Sequence, residues 1–154
     1  EVGAGISETT ARKLAALPIA GVETAGLGGT SWSAIESRRT TDALQKSIGE
    51  RFAQWGIPTV ESIAICRRAM PDKVVVASGG LRSGIDAAKA LALGADVVAF
   101  ALPMLKAAAR SVEDVEMEIA RTLEELRTVM FLTGCRRVAD LRTRPLRHVR
   151  DLTG

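Results

Sequence analysis

The sequence predicts an α/β fold built on a parallel sheet, and three observations support that prediction. Strand-like and helix-like segments alternate along the chain with short connections between them. Two strand-like segments, 74–77 and 96–101, are almost wholly apolar, which is typical of buried parallel strands. Glycines follow the strand-like segments at 26 and 79, where a strand would turn into its crossover helix.

Composition limits the class of protein. The 154 residues include 21 Lys and Arg against 18 Asp and Glu, with 47% hydrophobic residues, which fits one globular domain. The longest apolar run, Val97–Leu105, has nine residues, and a membrane-spanning helix needs roughly twenty. No secretory signal is visible, and two cysteines, Cys66 and Cys135, are too few for a disulfide scaffold. We therefore expect a cytosolic protein with reduced thiols and no contact with membranes.

A basic segment near the end of the chain raises the question of nucleic acid. Residues 136–150 contain six Arg and one acid, Asp140. Apolar residues interrupt the segment, and it lacks the aromatic side chains on which bases stack. We expect solvated charge, subunit contacts or contacts to phosphates, and no nucleic-acid partner.

The first third of the chain predicts one helix, one strand and a long loop. Ser7 is placed to cap a helix that ends at Pro18. A strand at 21–25 leads into the glycine-rich turn 26–30. Residues 31–51 are polar and charged, and we expect a loop there that is functional or partly disordered.

The remainder predicts alternating strands and helices. Thr59 is placed to cap a helix reaching about Met70, and a buried strand follows at 74–77. Ser83 with Asp86 resembles a capping box, opening a helix that runs to Leu93 and stops at Gly94. A second buried strand at 96–101 is closed by Pro103. A long amphipathic helix spans 115–130, and a short one lies around 138–141.

The sequence clearly predicts only three strands, or four if residues 1–3 are the end of another strand. A three-stranded parallel sheet has two unpaired edges, whereas parallel strands favour cover on both faces. The chain also opens at a strand-like end without Met. We expect residues 1–154 to be the C-terminal half of a single (β/α)₈ TIM-barrel domain, since a whole barrel takes about 250 residues.

Binding sites in parallel α/β folds lie at the carboxyl ends of the strands. Three turns occupy that position, at 25–30, 78–82 and 101–103. Gly79 and Gly80 would let backbone N–H groups approach an anion, the helix beginning near Ser83 would add its positive end, and Arg82 a charge. The pattern predicts a phosphate-binding turn. The alternative, that glycine serves only the geometry of a tight turn, stays open.

Conventional catalytic sets are missing from the sequence. The only histidine, His148, has no nucleophile or metal-ligand partner near it in sequence, and no spacing suggests Zn²⁺ or Ca²⁺. Cys66 and Cys135 are interpreted as structural. Without an evident acid, base or nucleophile, we expect a cofactor to supply the chemistry.

Several motifs together resemble one family. Residues 28–36 (GGTSWSAIE) are similar to the signature of type 2, FMN-dependent isopentenyl-diphosphate delta-isomerase. The resemblance continues in order through 1–7 (EVGAGIS), 52–61 (FAQWGIPTVE), 77–82 (ASGGLR), 91–96 (LALGAD) and 132–134 (LTG). It covers nearly the whole chain.

The resemblance implies an FMN-binding (β/α)₈ barrel that assembles as a homo-oligomer, a tetramer or octamer. Its members interconvert isopentenyl diphosphate and dimethylallyl diphosphate with reduced FMN and Mg²⁺, and NADPH reduces the flavin. The motifs assign FMN contacts and, separately, the substrate side of the flavin. The FMN contacts would be Thr30, Ser31, Gly79, Gly80, Leu81, Arg82, Ala101 and Leu102, and the substrate side Trp32 and Glu36.

The same resemblance places other functional residues outside this chain. The FMN-contacting Lys, the Gln of substrate proton transfer, the Mg²⁺-binding Glu and the diphosphate-binding basic residues would precede Glu1. We therefore expect no catalytic residue and no metal ligand within residues 1–154, and no activity from this segment alone. Two alternatives remain, another FMN-dependent barrel oxidoreductase, such as a 2-hydroxy-acid oxidase, or a non-catalytic half-barrel that binds anions or mediates oligomerisation.

Overall fold

Three parallel strands organise the computed structural model, which describes residues 3–147. They are β1 (Gly21–Glu23), β2 (Val74–Ala77) and β3 (Val97–Val98), in the spatial order β1-β2-β3. Val22 lies opposite Val75, and Val76 lies opposite Val97. The predicted α/β class with a parallel sheet is confirmed.

Helices connect and follow the strands. They are α1 (Glu8–Ala15), α2 (Trp32–Arg39), α3 (Ala43–Arg51), α4 (Thr59–Ala69), α5 (Gly84–Ala92), α6 (Leu102–Ala108), α7 (Val112–Leu132) and a 3₁₀ helix, Val138–Thr143. The predicted caps at Ser7 and Ser83 are confirmed, because each hydroxyl accepts the N–H three residues on. Gly94 ends α5 with φ +107°, a conformation that favours glycine.

The loop predicted over 31–51 is wrong, because the segment forms α2 and α3. The Ser31 hydroxyl accepts the N–H of Ala34 at 3.3 Å, and the Asp42 carboxylate accepts the N–H of Leu44 at 2.7 Å. These two caps satisfy backbone donors that a polar sequence would otherwise leave to water.

Two smaller expectations also need correction, and a third lies mostly outside the described residues. Thr59 is the first residue of α4 rather than its cap, and no side chain caps that helix. The second buried strand shrinks to Val97–Val98, and Pro103 lies in the first turn of α6, where its missing N–H costs nothing. Gly3 lies in a bend, and the rest of the suggested strand at residues 1–3 falls outside the described residues.

The described helices bury one face of the sheet and leave the other open. Val75 and Ala77 are fully buried, Val75 beside Cys66 of α4 and Ala77 beside Ala90 of α5. On the opposite face the side chains of Val74 and Val97 are 43% and 49% exposed. Parallel strands are ordinarily covered on both faces, so the open face is a surface suited to further apolar cover.

Asp96 connects several elements at the amino-terminal end of the sheet. Its carboxylate accepts the N–H of Val75 at 2.8 Å and pairs with the guanidinium groups of Arg67 and Arg142. Partial burial disfavours the charged form, but the hydrogen bonds from Val75 and Arg142 and the charge of Arg67 outweigh it and hold the pKa of Asp96 below its usual value. The cluster ties α4, β2 and the 3₁₀ helix together.

The basic segment makes internal contacts in the part that the structure describes. Arg142 pairs with Asp96, Arg137 contacts Asp140 at 3.3 Å, and Arg144 donates to the Cys135 sulfur at 3.2 Å. Three arginines of this basic segment therefore make contacts within the protein, so their charge does not by itself indicate a polyanion partner. Among residues 3–147, no helix has the length and apolarity to span a bilayer.

We expect Asp96→Asn to lower the free energy of unfolding at pH 7 by about 1–2 kcal/mol, because two guanidinium groups lose their anionic partner. The pKa of Asp96 is lower in the folded state, so its contribution is complete above the unfolded value of about 3.9 and disappears as pH falls through the folded value. Urea unfolding at pH 7 and at acid pH measures the difference.

Glu8→Gln is the control for that experiment, since it removes an exposed ion pair with Arg12. It should change the unfolding free energy by less than about 0.5 kcal/mol. If Asp96→Asn matches the parent protein at pH 7, the cluster does not stabilise the fold.

Candidate functional site

A cavity of about 480 Å³ lies at the carboxyl ends of the three strands, where parallel α/β folds bind ligands. Each strand contributes the residues that follow it. The lining residues are Gly3, Glu23, Ala25, Gly26, Gly29, Thr30, Trp32, Ser78, Gly79, Gly80, Leu81, Arg82 and 99–102. All three turns that the sequence indicated therefore meet at one place.

The turns after β1 and β2 touch backbone to backbone. A Cβ at Gly79 would lie 2.1 Å from the Gly26 carbonyl oxygen, and one at Gly80 would lie 2.0 Å from that of Gly28. Gly79 and Gly80 also have φ of +105° and +87°. Ser78 strengthens the contact, since its hydroxyl accepts the Ala25 N–H at 2.9 Å. Both glycines are therefore required by geometry.

The same geometry leaves backbone donors at the cavity. Within residues 3–147, the N–H groups of Gly79, Gly80 and Leu81 donate no hydrogen bond. A Cβ at Gly29 would lie 2.9 Å from the Gly80 nitrogen, so the absence of that side chain keeps the donor uncovered. The exposed side chain of Arg82 lies beside them. Three N–H groups and one guanidinium form a donor set suited to a phosphate.

The expectation that α5 aims its amino terminus at an anion stays a prediction, and the structure gives several N–H groups at that terminus acceptors of their own. The N–H of Gly84 donates to the Glu125 carboxylate of α7 at 2.6 Å, and the N–H of Arg82 donates to Asp86 at 3.1 Å. The Ser83 hydroxyl takes the N–H of Asp86. Two carboxylates thus occupy the positive end of the helix, and the donors for an anion come from the turn.

The predicted site residues divide into two groups. Eight line the cavity, namely Thr30, Trp32, Gly79, Gly80, Leu81, Arg82, Ala101 and Leu102. Ser31 and Glu36 do not line it. Ser31 caps α2, and Glu36 is exposed and pairs with Arg39 at 3.0 Å.

Trp32 is not a buried packing anchor. It is 51% exposed, and its indole borders both the cavity and the Gly3 backbone, where an added Cβ would lie 3.2 Å from the ring. An exposed aromatic face at the mouth of a cavity is available to a planar or apolar ligand.

Sequence reasoning missed two polar residues at the cavity. Glu23 ends β1 and its exposed side chain lines the cavity. Val22 packs against the helix-covered core, so alternation along the strand turns its neighbour Glu23 to the opposite face. That alternation would have identified Glu23. Ser78 was passed over as part of a turn, although its hydroxyl joins the segments that follow β1 and β2.

Neither thiol belongs to the cavity, and no metal-ligand cluster occurs in the described residues. Burial raises the pKa of the Cys66 thiol, which keeps it protonated. Hydrogen bonds from Thr133 and Arg144 lower the pKa of Cys135. Among residues 3–147, no three His, Cys, Asp or Glu side chains converge on one point. His148 lies outside the described residues.

Comparisons with known proteins agree on a flavin family. The family described as FMN-dependent dehydrogenase matches residues 28–148. Isopentenyl-diphosphate delta-isomerase of Stutzerimonas stutzeri (strain A1501) is 47% identical over 142 residues, which cover 92% of this chain and 41% of the relative. The protein of the same name from Rickettsia bellii (strain RML369-C) is 45% identical over 96% of this chain and 43% of its own length. The chain thus spans about two fifths of these relatives.

Solved structures of another enzyme share the fold. Mandelate oxidase with benzoyl-formic acid superposes with a TM-score of 0.54 at 25% identity, over 88% of this chain and 42% of that one. Mandelate oxidase with 3,3-difluoro-2-hydroxy-3-phenylpropionic acid gives 0.55 at 24% identity, over 89% of this chain and 42% of that one.

We expect Gly80→Ala to destabilise the protein more than Gly134→Ala. Both residues have positive φ, +87° and +66°, which costs a non-glycine residue roughly 1–2 kcal/mol. Only at Gly80 would the new Cβ also collide with backbone, because at Gly134 the nearest atom lies 4.0 Å away. Chemical unfolding of both variants measures the loss of unfolding free energy. Equal losses would show that the turns after β1 and β2 can move apart without further cost.

Proposed function

The chain belongs to the FMN-dependent dehydrogenase family, and we propose that it forms the phosphate-binding side of an isopentenyl-diphosphate delta-isomerase. The observation that most directly supports this proposal is the similarity to proteins of that name over more than nine tenths of the chain. The matched stretch includes the turns that line the cavity. The reaction would interconvert isopentenyl diphosphate and dimethylallyl diphosphate.

The cavity fits the phosphate end of FMN. Gly79, Gly80 and Leu81 line it, their N–H groups have no internal acceptor among the described residues, and Arg82 supplies positive charge. A phosphate dianion accepts several such donors, and charge-assisted bonds of this kind are stronger than neutral ones. Thr30, Ala101 and Leu102 border the same space and would complete the FMN contacts.

On the substrate side, Trp32 would pack against the flavin or the isoprenoid carbons. Its half-exposed indole already borders the cavity. For Ser31 and Glu36 the proposal rests on the resemblance alone, since Ser31 caps α2 and Glu36 points to solvent. Reduced FMN, when bound, supplies the proton transfer to and from the substrate. This chain's part is to bind and orient the cofactor.

We further propose that residues 1–154 are the C-terminal half of one (β/α)₈ barrel. Within residues 3–147, one face of the sheet is open at Val74 and Val97 and the outer edges of β1 and β3 pair with no other strand, so further strands would find cover and pairing sites there. The described residues offer no ligand set for Mg²⁺, and no step here depends on that ion. We also propose that NADPH reduces the flavin, that the protein assembles as a tetrameric or octameric homo-oligomer, and that it is cytosolic.

Oxidation of a 2-hydroxy acid is the second candidate, favoured by the structural likeness to mandelate oxidase. Such oxidases typically use a histidine base beside the flavin. The only histidine of this sequence is His148, and none occurs in the turns that line the cavity. We therefore place the isomerase first.

We expect the full-length protein, supplied with reduced FMN and Mg²⁺, to convert isopentenyl diphosphate into dimethylallyl diphosphate. Product formation is followed by chromatography of the dephosphorylated alcohols. The control is the same protein with oxidised FMN and mandelate. Turnover of mandelate without isomerisation would replace the proposed function with the oxidase.

We expect Arg82→Ala to weaken FMN binding about tenfold and to leave riboflavin binding within about twofold, because only FMN carries the phosphate. Flavin fluorescence titration of the apoprotein gives both constants. Arg68→Ala, at the far end of α4 and outside the cavity, is the control and should bind both flavins like the parent. Equal loss of both flavins would place Arg82 away from the phosphate.

A further inference from the structure

Thr59 lies behind the turn that carries the phosphate donors. Its hydroxyl donates to the Gly79 carbonyl oxygen at 2.5 Å, and its N–H donates to the Leu27 carbonyl at 3.3 Å. The hydroxyl lies 3.4 Å from the same Leu27 oxygen, but its one proton serves the shorter contact to Gly79. A single residue at the start of α4 thus holds the turns after β1 and β2 at once.

The Thr59 contact fixes the direction of the Gly79–Gly80 peptide. In a trans peptide the C=O and the following N–H point in opposite directions. Because the Gly79 carbonyl points at Thr59, the N–H of Gly80 points away from it. Thr59 lines a second cavity of about 260 Å³ and not the first, whereas Gly79 and Gly80 border both. The Gly80 N–H is therefore directed to the phosphate side of the turn.

The turn needs this restraint. Glycine at +105° and +87° has several accessible conformations, so the peptide between Gly79 and Gly80 is free to rotate unless a neighbour holds it. On the side of the second cavity, the Thr59 hydroxyl is the donor that reaches the Gly79 oxygen within residues 3–147. Valine has the same shape and lacks that donor.

We propose that Thr59 is a positioning residue for the FMN phosphate, acting through the Gly79–Gly80 peptide that its hydroxyl holds. The inference rests on the proposed function, because it assumes that the first cavity takes the phosphate of FMN. It adds a residue that touches neither cofactor nor substrate. Removing the hydroxyl lets the peptide turn, and the phosphate loses a donor while the isoalloxazine ring keeps its contacts.

The test compares FMN with riboflavin in the full-length apoprotein and its Thr59→Val and Thr59→Ser variants, by fluorescence titration. We expect Thr59→Val to weaken FMN binding about tenfold and to leave riboflavin within about twofold. Thr59→Ser keeps the hydroxyl and should retain FMN affinity within about threefold. Thr128→Val is the matched control, because it also removes a hydroxyl-to-carbonyl bond, on an exposed turn of α7.

A ³¹P NMR spectrum of bound FMN gives a second readout. The phosphate resonance should keep its position in Thr59→Ser and move in Thr59→Val. If Thr59→Val does not fold, as judged by circular dichroism, Thr59→Ala removes the same hydroxyl without a second methyl and replaces it in both measurements.

The outcomes separate two failures. If Thr59→Val keeps the parent's ratio of FMN to riboflavin affinity, or Thr59→Ser loses as much FMN affinity as Thr59→Val, the positioning role is overturned and the proposed function survives. If the parent protein binds neither flavin, the proposed function and this inference both fall.

Discussion

The close approach of two glycine turns is the constraint on which the rim of this sheet depends. The turn after β2 can lie against the turn after β1 only because Gly79 and Gly80 present no side chain to Gly26 and Gly28. The floor of the cavity is consequently made of backbone. Backbone donors are fixed in place by the fold, so the site is formed before a ligand arrives.

Charge is distributed unevenly around this floor. Glu125 reaches from α7 to the first N–H of α5, and Asp86 holds the N–H of Arg82. Both carboxylates stabilise the start of the helix, and both repel a phosphate from it. Attraction is left to the unpartnered donors of the glycine turn and to the Arg82 side chain. If an anion binds at this rim, as we propose, these donors hold it at the inner edge.

Local patterns predicted the elements that bury apolar surface, and tertiary contacts decided the rest. The apolar run at 74–77 predicted a strand because burial imposes that pattern on parallel strands, and the spacing of apolar residues predicted α7, although none of its residues is fully buried. The pair α2 and α3 was missed because its sequence is polar and charged, so hydrophobic periodicity is weak there, and Ser37 is its one buried residue. Two of the three site turns were predicted by their glycines, and the third by its place after an apolar strand-like run that Pro103 closes. Glu125, 41 residues from Gly84, could not be, since no local pattern reports a contact that distant.

The ionic cluster around Asp96 lies at the end of the sheet opposite the cavity, where β2 and β3 begin. The ionic cluster that stabilises the sheet and the residues that line the cavity therefore lie at opposite ends of the same short strands. Substitutions at the rim outside the glycine turns can therefore alter what is bound without loosening the ionic cluster. One scaffold can in this way pass between chemistries over evolutionary time.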